Sequence, residues 1–368
     1  MAALDFIFAG DLVLDEPHPD HWLSGIAPLT TAANIAIGHL EVPHTSRCAE
    51  LHGDVPAPGA DPANLAALKR AGFDAVTLAG NHIADCGPLG IADTRAELTR
   101  LGIEHTGAGV NLASARRPAL LRRAERRIAL LSYNCVGPQA GWATETSGGC
   151  AYVRIVASDG AEIAPTASLQ SPDLESLSQM QTDIAAASSD DTFVIVALHK
   201  GLVHTPARLA PYERPVAWAA IDAGAQVVIG HHAHLIRGIE FYRGKPIFHG
   251  LGNGCVVTRA LSPGQDNPAR AAWVERRKKL FGFEPDPDYW LAPFHPDAVN
   301  AMLGRLKWHE DGRIDAGFVP LHVEAPGRPV IADESHGAAM MAYMERITHE
   351  AGLPPVSFSV RDDMVVAS

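Results

Sequence analysis

The sequence predicts an α/β fold with a metal centre at one edge of its sheet. Three observations carry that expectation. Short β-branched apolar runs alternate with helix-period segments through residues 1–100 and again after residue 171. Most of these runs end in polar side chains instead of plain turns. One run, Val227-Val228-Ile229-Gly230, opens directly into His231-His232-Ala233-His234. In extended chain alternate side chains share a face, so His232 and His234 are expected to point the same way. Open α/β sheets keep their sites at the carboxyl ends of strands, and neutral imidazole is the commonest metal ligand.

Composition narrows the classes. The 368 residues are 47% hydrophobic and 20% charged, as in ordinary globular chains, and a large α/β domain reaches this length. A formal net charge of -12 argues against nucleic acid, since a phosphate backbone calls for a basic face. No apolar run approaches the ~20 residues of a membrane span. Met1-Ala2-Ala3-Leu4-Asp5 leads straight into an apolar strand without the pattern of a secretory signal. A soluble cytoplasmic protein with no membrane partner is therefore expected. Cys48, Cys86, Cys135, Cys150 and Cys255 are odd in number and scattered, which suits reduced thiols.

Taken in order, Leu4-Asp5-Phe6-Ile7-Phe8-Ala9 is a buried strand closed by Gly10-Asp11, and residues 33–37 form a second strand ending in Gly38-His39-Leu40-Glu41. Asp61-Pro62-Ala63-Asn64 starts a helix by cap and N1-proline logic, with Leu65, Leu68 and Ala71 as its apolar stripe. Asp74-Ala75-Val76-Thr77-Leu78 is a strand that runs into Gly80-Asn81-His82-Ile83-Ala84-Asp85-Cys86-Gly87, and a helix follows over 91–101. Residues 128–133 are a buried strand, and 136–170, rich in Gly, Ser and Thr, read as loop. Ser171-Pro172-Asp173 caps a helix to residue 187, a strand over 192–198 ends in His199-Lys200-Gly201, and a helix over 212–223 precedes the histidine stretch. A hairpin turns at Gly244. Residues 262–299 read as loop-rich, basic and aromatic. A second hairpin turns at Asp311-Gly312, and a last helix over 337–351 carries Met340, Met341, Met344 and Ile347 at packing spacing.

Five strands thus deliver metal-compatible side chains: Asp11; Glu41; Asn81, His82 and Asp85; His199; and His232 with His234. A sheet gathers such ends, so one metal centre is the simplest account. The nitrogen and oxygen donors suit Mn, Fe, Zn or Mg, or Ca where oxygen and water dominate, and exclude a thiolate site.

These stretches, with Gly107-Ala108-Gly109-Val110-Asn111-Leu112-Ala113 and the run from Gly238-Ile239-Glu240 to Leu251-Gly252-Asn253, resemble the CapA branch of the calcineurin-like metallophosphoesterases. The resemblance covers about residues 5–256. It implies a two-sheet sandwich flanked by helices, with a metal-binding core over 1–256. Residues 257–304 would be a substrate-binding insertion, and a C-terminal hairpin and helix over 305–368 would pack on the same single domain. The departures shape the site. Where two-metal relatives carry Asp-x-His the chain has Val13; the usual Asp of the second motif is Glu41; Ile83 follows Asn81-His82; Lys200 follows His199; Gly254 follows Asn253. One subsite keeps Glu41, Asn81, His199 and His232 with His234 near, which implies a single divalent ion, Ca or Mn foremost. His82 holds the family's general-acid position, and Asp85 stands three residues on, either to orient it or simply to form the turn before Gly87.

The chain is also similar to the CapA-like epimerases of lasso-peptide biosynthesis, which invert the C-terminal tryptophan of a precursor peptide. That similarity implies a peptide substrate and two proton-transfer pairs, His82 with Asp85 and Asp11 with His295. Lys200, Arg237 and Arg276 would meet a terminal carboxylate, and Trp273 and Trp290 an aromatic side chain. A metal-dependent hydrolase of phosphoesters or amides and a non-catalytic factor of polyglutamate assembly are the competing expectations.

Overall fold

A computed structural model describes residues 3–48, 59–163, 167–262, 264, 268–361 and 364–368. In chain order the strands used below are β1 (Leu4–Leu14), β2 (Ile35–Leu40), β3 (Ala75–Thr77), β4 (Arg126–Asn134), β5 (Thr192–His199), β6 (Val227–His231), β7 (Ile236–Tyr242), β8 (Lys245–Leu251), β9 (Asn253–Val257), β10 (Asn300–Trp308) and β11 (Ile314–Glu324). The helices are α1 (Leu65–Arg70), α2 (Gly87–Arg100), α3 (Leu174–Ala187), α4 (Glu213–Asp222), α5 (Pro268–Phe281) and α6 (Glu334–Glu350).

Two large sheets form the frame. β1 lies inside a 10-stranded sheet, parallel to β2 and β9 and antiparallel to β10. A 6-stranded sheet holds β4, β5, β6 and β8 in parallel, with β7 returning antiparallel beside β8. Strand alternation explains how the sheets stack. Phe6, Phe8, Ile35 and Ile37 of the first sheet share one buried cluster with Phe193, Ile195, Val227 and Ile229 of the second. The Phe6 and Phe193 rings stack at 5.1 Å. The alternate residues Ile7, Ala9, Val194 and Val196 belong to the other core, which also contains helix residues such as Leu65, Leu68, Val216 and Ala217. Strands covered on both faces read as continuous apolar runs. The result is the expected α/β sandwich of the calcineurin-like type.

Several expectations change. β1 does not stop at Gly10 but continues to Leu14, so Asp11 lies within the strand. The register shifts on either side of it, between Phe8 and Asp11 toward β2 and between Asp11 and Leu12 toward β9. Gly10 permits that crowding, since a Cβ there would lie 1.9 Å from the Gly252 carbonyl oxygen. Residues 136–170 contain the short strands Gly149–Cys150 and Ile155–Ala157 and the start of a third, Leu169–Pro172. The basic and aromatic segment contains the helix α5. The C-terminal hairpin is part of the first sheet, through β10 against β1, and α6 adds Met340, Met344 and Ile347 to the core between the sheets.

The thiol expectation is overturned in part. Cys48 and Cys86 form a disulfide, while Cys135, Cys150 and Cys255 are free and buried. Among the described residues no helix is long and apolar enough to cross a membrane.

Candidate metal centre

The centre forms where β1, β2, β5 and β6 deliver polar residues to one edge. Asp11 is in register with His39 of β2, and His199 of β5 is in register with His231 of β6. Four imidazoles follow one another: His231 to His39 at 4.7 Å, His39 to His199 at 4.7 Å, and His199 to His232 at 4.9 Å between ring centroids. Beside them His234 Nε2 lies 3.4 Å from Glu41 Oε1, and His234 Nδ1 lies 3.4 Å from Asp11 Oδ2. Two ligand sets emerge, Asp11 with His39 and His199, and Asp11 with Glu41 and His234, each with its donor atoms within 4.8 Å of one another.

Small contacts fix the tautomers. Asn81 Oδ1 accepts from His199 Nε2 at 2.7 Å, which leaves Nδ1 as the lone-pair nitrogen. His39 Nδ1 shares a 2.9 Å hydrogen bond with the Thr77 hydroxyl, which donates to the Gly38 carbonyl at 3.5 Å and so accepts from Nδ1, leaving the lone pair on Nε2. Gly80 makes room for that ring, because a Cβ there would come within 2.8 Å of His39 Nε2 and 3.3 Å of His199 Cε1. His232 and His234 have φ of 92° and 53°. The expected extended geometry therefore fails beyond His231, and the two rings reach the centre through left-handed backbone, a strained conformation typical of functional sites.

The donor set fits a divalent ion. Asp11 Oδ1, both Glu41 oxygens, His39 Nε2, His199 Nδ1 and both ring nitrogens of His231 and His232 are buried without a hydrogen-bond partner. Buried polar groups are almost always satisfied, and such a convergence of orphans is what a cation relieves. Charge states agree. Burial pushes His39, His231 and His232 down to about 3, and His199 well below its ordinary value, so all four imidazoles are neutral at neutral pH, the state in which a ring nitrogen can bind a metal. Burial and then Glu41 push Asp11 up to about 7. Burial also acts to raise Glu41, but His234 outweighs it and holds the carboxyl at about 2. Burial acts to lower His234, yet Glu41 and Asp11 raise it to about 9, so in the metal-free chain His234 and Glu41 form an ion pair, and a cation bound there would displace the His234 proton.

The model of the family described as bacterial capsule synthesis protein PGA_cap matches residues 5–256. The chain belongs to that family. A probable polyglutamine synthesis accessory protein of Mycobacterium tuberculosis is 31% identical over 246 residues, 63% of this chain and 58% of that protein. The capsule biosynthesis protein CapA of Bacillus anthracis is 26% identical over 187 residues, 51% of this chain and 41% of that one. The PGA biosynthesis protein CapA of Bacillus subtilis is 24% identical over 261 residues, 67% and 61% of the two chains. The chain thus spans 58% of the mycobacterial relative's length.

Within this PGA_cap centre the expected residues fall into three groups. Glu41, His199, His232 and His234 are gathered at the edge with Asp11, and Asn81 supports His199. His82 and Asp85 form a hydrogen-bonded pair at the rim, Nδ1 to Oδ2 at 2.7 Å, with side chains 13% and 12% exposed. His295 stands off: among the described residues no ion pair joins it to Asp11, whose ion-pair contacts are with His231 and His234. Its neighbour Phe294 covers His234 at 4.5 Å, and its own Nδ1 accepts the Asp297 backbone N–H at 3.1 Å. The expectation of substrate cations at Lys200 and Arg237 is not met. Both are fully buried and joined to Glu213, at 2.9 and 3.3 Å, because α4 places that carboxylate between them. Trp290 is 40% exposed, Trp273 half-buried and Arg276 exposed on α5. Two residues were missed, His39 and His231. Period-two alternation puts His39 on the face of Glu41, and that signal was available; the pairing of His231 with His199 requires the strand register.

Proposed function

We propose that this chain is a metal-dependent peptide epimerase that inverts the Cα of a C-terminal residue, tryptophan foremost, of a lasso precursor peptide. The observation that carries this reading is the His82–Asp85 pair at the rim of the buried centre. A carboxylate only accepts hydrogen bonds, so Asp85 holds the proton on His82 Nδ1 and leaves Nε2 as a base. Inversion takes a proton from Cα on one face and returns one on the other, with no net change in atoms. His295 is the second carrier. Its Nδ1 is engaged by the Asp297 N–H, so the proton sits on Nε2. The two histidines arise from different elements, His82 from the loop after β3 and His295 from the segment after β9. A divalent ion held by Asp11, Glu41, His39, His199, His232 and His234 would supply positive charge where negative charge grows on the carbonyl oxygen.

The test is incubation in D2O with a precursor peptide ending in tryptophan. One deuteron gained at Cα with mixed D- and L-tryptophan, lost with chelator and in His82→Ala, is the expected result. Unlabelled peptide recovered with its chirality intact would sink the reading.

A second reading, a metallohydrolase, is favoured by the two ligand sets that share Asp11. Paired ions clamp both oxygens of an in-line displacement. Two ions per chain by elemental analysis, with cleavage of a simple phosphodiester, would support it; a single ion and no cleavage would remove it. The names of the mycobacterial and Bacillus relatives point to polymer assembly. Undiminished function after Asn81→Ala and His199→Ala together would favour that non-catalytic role over both enzymes.

A further inference from the structure

Three arginines are buried among the described residues: Arg237, Arg277 and Arg305. Arg237 pairs with Glu213 and Arg305 with Asp5. Arg277 is 4% exposed and has no ion pair and no side-chain hydrogen bond to any described residue; its Nε is buried and unpartnered. The carboxylates that share its cleft are engaged elsewhere or turned out. Glu284 is held by Lys278, Asp286 accepts the Asp288 N–H, and Glu275 is exposed.

Its position gives the orphan a meaning. Arg270, Val274, Arg277 and Phe281 recur at helical spacing along α5, and Val274 and Arg277 are buried. The Phe281 ring meets His204 edge-on at 4.8 Å, and His204 lies 5.9 Å from His234. Phe294 lies 5.8 Å from His204 and 4.5 Å from His234. Through Phe281 and His204, the face of α5 that carries Arg277 is connected to the His234 corner of the metal centre. Burial weakens the guanidinium, to about 10, without discharging it at neutral pH. A buried charge is tolerated when an opposite charge meets it, and the guanidinium fork matches a carboxylate or a phosphate with two parallel hydrogen bonds.

We propose that Arg277 is the substrate's anion anchor, holding the terminal carboxylate of a peptide whose last residue lies against the Glu41–His234 centre. This rests on the epimerase reading for the identity of the substrate. It also reassigns the role expected of Arg276, which the helix turns outward.

The experiment uses the full metal-loaded chain and two probes, an N-acetylated heptapeptide ending in L-tryptophan and its C-terminal amide. Binding is followed by calorimetry and Cα deuteration by mass. The free acid is expected to bind about 30-fold more tightly than the amide, the range of a charge-assisted bidentate pair. Arg277→Ala is expected to erase that preference by weakening the acid alone, with Arg277→Lys restoring part of it and the metal content unchanged. Equal affinity of acid and amide in the unmodified chain, a preference that survives Arg277→Ala, or no binding of either peptide would overturn the anchor. Inorganic phosphate that binds through Arg277 while the acid does not would overturn the carboxylate in favour of a phosphorylated ligand. The two readings separate cleanly. Deuteration that ignores Arg277 and the terminal charge removes the anchor and keeps the epimerase, whereas binding through Arg277 without deuteration keeps the anchor and removes the epimerase.

Discussion

Two buried polar clusters lie side by side in this protein and differ in one respect. Lys200, Glu213, Arg237, His249 and Glu240 form a chain of contacts: Lys200 to Glu213 at 2.9 Å, Lys200 to His249 Nδ1 at 3.1 Å, and His249 Nε2 to Glu240 at 3.0 Å. Arg214 closes the outer end on Glu240 at 2.7 Å, and Arg237 Nε is the single buried atom of this cluster without a partner. The metal centre, which begins one residue earlier at His199, leaves nine buried donor or acceptor atoms without a hydrogen-bond partner: Asp11 Oδ1, His39 Nε2, both Glu41 oxygens, His199 Nδ1 and both nitrogens of His231 and His232. Burial alone therefore does not mark a site. A saturated network carries the scaffold, and an unsaturated one awaits something from outside.

Breaking the saturated cluster should cost most. Glu213→Ala leaves Lys200 and Arg237 buried without their carboxylate, so a loss of about 3–5 kcal/mol in urea unfolding is expected. Lowered metal affinity with stability unchanged would show that the cluster serves the site instead. Asp11→Asn should do the reverse: divalent-ion affinity falls about 100-fold by calorimetry, since both ligand sets lose a carboxylate, while the metal-free chain unfolds at the same temperature or higher. That second half follows from the burial that already pushes the Asp11 carboxyl up to about 7.

Acid titration of the metal-free chain sharpens the contrast. His39, His231 and His232 are held at about 3 against an ordinary 6.5. The unfolded chain takes up those protons first, so their stabilisation is complete above 6.5 and is lost as pH falls from there to about 3. Glu213, held at about 2 against 4.5 by Arg237 and Lys200 over the opposing effect of burial, keeps its share until pH falls below 4.5 and gives it up toward 2. Chemical unfolding at stepped pH should show stability starting to fall near 6.5, and an onset only below 4.5 would contradict neutral buried imidazoles. The smallest effect is expected from Gly80→Ala. The added methyl meets His39 Nε2, so metal affinity should drop more than stability, which should change by about 1 kcal/mol.

Much of the frame was legible because local rules decided it. Asp61 and Asp173 cap their helices as expected, accepting the Ala63 and Ser176 N–H groups. The turns at Gly244 and Gly312 take positive φ. The strand ends that bring Glu41, His199 and His232 together were readable as apolar runs stopped by polar residues. What escaped was set by distance or by exception. His232 and His234 leave the extended conformation, which no alternation rule anticipates. Asp11 is carried inside a strand by register shifts that depend on two partners at once. The helix α5 gave no periodic apolar signal because two positions of its inner face are arginines. Glu213 meets Lys200 and Arg237 only after three elements have packed, so the two cations looked available in the sequence.

The Cys48–Cys86 bond has a consequence beyond the pairing itself. It joins positions 38 residues apart, and the closed ring contains Asn81, His82 and Asp85. Closing a ring of that size removes conformational freedom from the unfolded chain worth about 4 kcal/mol. The rim of the centre is therefore held by covalent chemistry that depends on surroundings, whereas the histidine row is held by strand pairing that does not. Where thiols stay reduced, the same ligands stand beside an untied rim; where they oxidise, the address of the protein becomes part of its geometry.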